Sequence, residues 1–219
     1  MELRRMTRKA AKRADILEIW VDSMPAKISP EEILGLADKP LIIVNKSKKE
    51  KGDFRGTEEE RIIRLAEFVR AGADFVDVSA ETPPSLLKML FEAEHRRKSS
   101  GKSTKIIFSH HDFKKTPAPA ELKKLRDKAF RAGAHLFKLA TFARSYEDNL
   151  SILQFLADSR RAGKPCIAHC MGEKGRVSRL LAPIFGSYII FVALDSHNAT
   201  APGQLTLDEY KKISSLLKL

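Results

Sequence analysis

The chain has 219 residues, 43% of them apolar, which suits one domain with a substantial core and reaches the low end of an α/β barrel. Forty Lys and Arg against 28 Asp and Glu give a formal charge of +12. That surplus fits attraction of a small anionic substrate or a basic surface. The basic residues are scattered and no aromatic-and-basic module accompanies them, which argues against specific nucleic-acid recognition.

No apolar stretch approaches the ~20 residues that cross a bilayer, and MELRRMTRKAAKRAD contains no apolar signal core, so no membrane association is expected. Cysteine occurs only at Cys166 and Cys170. Four residues apart in one strand, they would lie ~13 Å apart, too far for a disulfide. A reduced, cytoplasmic protein is the expectation.

Taken in chain order, short β-rich runs alternate with helical patterns. The runs are ILEIWVD (16–22), LIIVNK (41–46), DFVDVSA (74–80), KIIFSHH (105–111), HLFKLAT (135–141), PCIAHCM (165–171) and YIIFVAL (188–194). Helices are expected over 30–37, 57–72, 83–98, 119–133, 145–163, 174–185 and 207–218, with the Ala-Gly pairs at 71–72, 132–133 and 162–163 as C-terminal caps. Strands separated by crossover helices imply a parallel sheet.

Fifteen residues precede Ile16, and Leu3, Met6, Ala10 and Ala14 fall at helical spacing among basic residues. They predict a helix where a barrel would first need a strand. The sequence therefore predicts a (β/α)8 barrel of the TIM type, a single domain over 1–219, with its first strand missing and seven strands visible. A start upstream of Met1 would supply that strand. Without it, the edges at 16–22 and 188–194 are expected to stay unpaired and to favour aggregation or a homodimer.

Parity assigns the polar side chains of these strands. Ile107, Ser109 and His111 share one face of their strand, and Phe108 and His110 the other. Lys138 shares a face with Leu136 and Ala140, opposite Phe137 and Leu139. Its ordinary fate would be to snorkel to the strand mouth. An inward lysine beside a histidine is instead a candidate nucleophile toward a carbonyl, because desolvation favours the neutral amine. Glu18 and Trp20 share a face, as do Val44 and Lys46. No GxGxxG or GxxxxGK[ST] loop follows any strand. His110, His111 and His169 lie on different faces or strands without metal-ligand spacing, so neither a metal nor another cofactor is expected. Arg179, at the start of its helix, could grip a carboxylate.

ILEIWVD, FVDVS, IIFSHHDF, FKLA, GRVSRLLAPIFGS and ATAPGQ, in this order over nearly the whole chain, resemble the type I 3-dehydroquinate dehydratase family of the shikimate pathway. The resemblance implies that Lys138 forms a Schiff base with 3-dehydroquinate, that His111 is the general acid and base, and that Glu50 orients His111. It further implies that Glu18, Lys46, Arg179, Thr200 and Gln204 bind the substrate. The sequence departs from the family at Trp20 and Lys46, where arginines are usual, and at Ser79, where an acid is common. Those departures bear on substrate affinity more than on imine chemistry. Two alternatives remain: a weakened homologue that binds a small carboxylic acid, and another Schiff-base barrel enzyme of the class I aldolase type.

Overall fold

The computed structural model describes every residue except Met1, Ala26, Ser100, Lys102 and Leu219. The chain forms two compact units, residues 1–107 and 108–219.

In the first unit, α1 (Glu2–Ala11) precedes β1 (Leu17–Trp20), so the N-terminal segment is the helix its spacing predicts. The chain continues through α2 (Pro30–Leu34), β2 (Leu41–Val44), α3 (Glu58–Ala71), β3 (Phe75–Ser79) and α4 (Pro84–Lys98) into the start of β4 (Lys105–Asp112). These strands adjoin in chain order, and β1–β2 and β2–β3 are parallel. Helix α3 begins where Thr57 caps the Glu60 amide while Glu60 reaches back to Thr57, and it ends at Gly72, whose φ of 117° suits glycine alone. Helix α2 carries the same reciprocal cap at Ser29 and Glu32 but spans five residues, shorter than its pattern predicted.

The second unit holds the end of β4, then α5 (Pro119–Arg131), β5 (Leu136–Phe142), α6 (Glu147–Arg161), β6 (Cys166–Met171), α7 (Arg176–Leu181) and α8 (Leu207–Leu216). Strands β5 and β6 run parallel, with Lys138 opposite Ile167 and Ala140 opposite His169. Phe137 meets Phe155 of α6 edge-on at 6.4 Å, so its face of β5 is the helix-covered one. Lys138 and His169 therefore share the other face. Among the described residues no helix is long and apolar enough to cross a membrane.

The expected seventh strand does not form. Tyr188 N donates to Cys166 O at 2.8 Å, and Ala193 exchanges bonds with Leu205 and Leu207 at the far end of the run. Only isolated bridges result, Cys166 with Ser187 and Ala193 with Thr206. A β-rich composition makes a strand only where a neighbouring backbone supplies consecutive partners. Residues 189–192 join no ladder, so the described residues hold six strands. Helix α7 is also shorter than the predicted 174–185: a 3₁₀ turn occupies Glu173–Gly175 at its start, and residues 182–186 are turns at its end.

What holds α7 in place is a buried polar lock. Ser178 Oγ donates to Gly175 O at 2.9 Å and accepts from Cys170 N at 2.8 Å. Asn149, on α6, accepts from Ser178 N at 3.0 Å and donates to Lys174 O at 2.8 Å and to Tyr146 O at 2.9 Å. Replacing Asn149 with Ala strands the buried Ser178 amide and removes two further bonds that fasten the turn. Urea unfolding should show a loss of about 2–3 kcal/mol, and a loss no larger than that of a surface substitution would contradict the lock.

Candidate functional site

In the first unit, Glu18 and Trp20 of β1, Val44 of β2 and Asp77 of β3 fall on one face by register. Trp20 Nε1 donates to Glu18 Oε2 at 3.0 Å, so Trp20 bonds one of the expected substrate ligands. Lys46, two residues beyond β2 on the same parity, is 1% exposed. Its Nζ lies 2.7 Å from Asp77 Oδ1 and 3.0 Å from Glu50 Oε1.

Glu50 reaches Lys46 because the chain folds back on itself there. A 3₁₀ turn at Lys48–Glu50 is followed by Gly52, whose amide bonds Ser47 O. Gly52 packs so closely that a Cβ on it would stand 2.2 Å from Lys46 O. The structure thus brings together Lys46 and Glu50, both expected from the sequence, and adds Asp77, which the sequence reading did not assign. A carboxylate between two valines of the strand FVDVS was the signal available for it.

In the second unit, Lys138 is 6% exposed, and its Nζ sits 4.2 Å from the centroid of the Phe191 ring. Phe191 lies in the segment that fails to join the sheet, so an unladdered run still supplies the wall against which the lysine rests. His111, near the end of β4, stacks on Phe113 with centroids 5.7 Å apart and planes 8° from parallel. Both His111 and Lys138 act electrostatically on His169.

Arg179 projects from α7 and is 6% exposed. Its Nε and Nη2 are buried and find no acceptor among the described residues. Burial pushes the guanidinium down to about 10, so it stays charged at neutral pH. A buried cation with unused donors is primed for an anion, and a guanidinium fork matches a carboxylate.

Thr200 and Gln204 bond each other: Gln204 Oε1 accepts from Thr200 N at 2.8 Å and from Thr200 Oγ1 at 3.2 Å. Their loop is fastened to the end of β6, where Gly172 N donates to Pro202 O at 3.0 Å. Gly203 adopts φ +75°, and a Cβ there would stand 2.2 Å from Gly172 O, so glycine is required. Both cysteines are free and buried. Among the described residues no group of three His, Cys, Asp or Glu is placed to hold a metal ion.

A family model described as type I 3-dehydroquinase matches residues 1–219. The chain is 35% identical to the 3-dehydroquinate dehydratase of Methanosarcina barkeri, over 97% of this chain and 90% of that protein. It is 36% identical to that of Methanocaldococcus jannaschii, over 94% and 89%. Among solved structures, it resembles the Clostridium difficile type I 3-dehydroquinate dehydratase with covalently modified comenic acid at a TM-score of 0.83. Identity there is 27%, over 97% of this chain and 86% of that one. The Geobacillus kaustophilus enzyme gives 0.83 at 28% identity, over 99% and 85%. The fold is of the (β/α)8-barrel type expected from the sequence.

The buried ion pair of the first unit makes its own prediction. Asp77 is 0% exposed, so Lys46→Met leaves a carboxylate in the interior without its closest cation and should cost about 3–5 kcal/mol in urea unfolding. Adding Asp77→Asn should restore part of that loss, and strictly additive losses would deny the pairing.

Proposed function

The chain belongs to the type I 3-dehydroquinase family, and from that premise we propose that it dehydrates 3-dehydroquinate to 3-dehydroshikimate through an imine on Lys138. In this reading the Lys138 amine attacks the C3 ketone, and loss of water leaves a protonated imine. The imine draws electrons from the neighbouring C2–H bond. His111 removes the C2 proton, then returns it to the departing C1 hydroxyl, which leaves as water. A second water hydrolyses the imine, releasing 3-dehydroshikimate and the free amine. Arg179 takes the substrate carboxylate on the donors it leaves unused. Thr200 and Gln204, on the loop fastened to Gly172, close over the substrate.

The observation that carries this reading is a buried Lys138 resting on Phe191 in the same unit as a buried Arg179 whose Nε and Nη2 find no acceptor among the described residues. It supports a nucleophile and an anion grip in one unit. The Phe191 ring contributes by stabilising the positive charge that Lys138 bears as ammonium and again as iminium.

Trp20 favours a second reading in which substrate binding is weakened, because its indole engages Glu18 where the resemblance expects an arginine. The two readings separate in one assay, the ultraviolet absorbance of 3-dehydroshikimate forming from 3-dehydroquinate. Steady product formation supports the dehydratase, and its absence at saturating substrate supports the weakened homologue. In the same assay His111→Ala should lose at least ~10²-fold in kcat, whereas His110→Ala should keep most of its turnover. Equal losses from the two substitutions would contradict the assignment of His111.

A further inference from the structure

The steps above leave His169 without a role, and its place in the fold is unusual for an idle histidine. It is 9% exposed and lies on β6 opposite Ala140, on the same face as Lys138. Its ring centroid is 6.4 Å from that of Phe191, the ring on which the Lys138 ammonium also rests. Among the described residues no hydrogen bond reaches either ring nitrogen. The charges that act on it are Arg179 from α7, Lys138 from β5 and His111 from β4, and no carboxylate is among them. Burial first, and then these positive neighbours, hold its pKa well below 6.5, so the ring is neutral in the unliganded protein. Arg179, the strongest of the charges, likewise has two donors without acceptors. His169, nine-tenths buried as a residue, and Arg179, with two buried donors that find no acceptor among the described residues, therefore both keep hydrogen-bonding capacity for a ligand. For the buried guanidinium that unused capacity is costly unless something else completes it.

We propose that His169 is a substrate-anchoring residue that shares the substrate's carboxylate with Arg179. The arriving anion brings negative charge beside the ring and offsets the repulsion from Arg179, Lys138 and His111. The ring can then accept a proton from solvent and donate N–H to a carboxylate oxygen. No covalent bond changes. This assignment rests on the dehydratase reading in that the carboxylate is that of 3-dehydroquinate.

The test pairs kinetics with calorimetry on two variants. His169→Met keeps the length and the packing against Phe191 but cannot hold a proton, and His169→Gln keeps a donor without the charge. With 3-dehydroquinate, His169→Met should raise KM about 10-fold or more with kcat little changed, as expected for loss of a charge-assisted hydrogen bond, and His169→Gln should recover part of that loss. Quinate, which has no ketone and forms no imine, serves as the binding probe. Titrated near pH ~7 in buffers of different ionisation enthalpy, it should draw fewer protons into either variant than into the unmodified chain. Unchanged KM, unchanged proton uptake, or a fall in kcat at constant KM would overturn the assignment. If His169→Met does not fold, proton uptake by His169→Gln decides alone, and uptake equal to that of the unmodified chain overturns it. If the unmodified chain forms no 3-dehydroshikimate, the dehydratase reading fails and the quinate measurement still decides whether His169 anchors a carboxylate.

Discussion

A guanidinium buried without a carboxylate is among the least stable arrangements a protein interior can hold, and the second unit is organised around one. Arg179 is almost wholly enclosed, and two of its nitrogens lack acceptors among the described residues. Desolvation alone would drive this side chain toward the surface. It stays because α7 cannot rotate: Ser178 is bonded to Gly175 and Cys170, and Asn149 fastens the same turn to α6. On the proposed reading, a substrate carboxylate arriving at Arg179 would recover the energy spent on holding the cation.

The first unit treats its buried cation in the opposite way. Lys46 is satisfied by Asp77 and Glu50 before any ligand is present. Its substitution for the arginine usual in the family thus goes with an internal ion pair. Trp20, in place of a second arginine, is turned toward Glu18. Two of the three departures that the sequence revealed therefore have a common structural expression: each replaces a fork-shaped cation by a group engaged with a neighbouring carboxylate.

Much of this was legible before any coordinates. Period-two alternation sent Lys138 away from Phe137, and the Phe137–Phe155 contact agrees with that assignment. The N-terminal helix, the Gly72, Gly133 and Gly163 turns with positive φ, and the order of strands and helices were likewise readable. Two things were not. Residues 188–194 have the composition of a strand, but a strand exists only by pairing, and pairing is a property of neighbours that local sequence does not encode. His169 was passed over because its significance depends on the β5–β6 register, which sets it on the face of Lys138. Parity within one strand cannot supply that relation.

The central claim is that Lys138 is the nucleophile, and borohydride trapping tests it most directly. Borohydride added together with 3-dehydroquinate should reduce the imine to a stable secondary amine, inactivate the protein and add the ligand's mass to the peptide carrying Lys138. Borohydride alone should leave that peptide unmodified. An adduct that survives Lys138→Met, or trapping at a different lysine, would contradict the account.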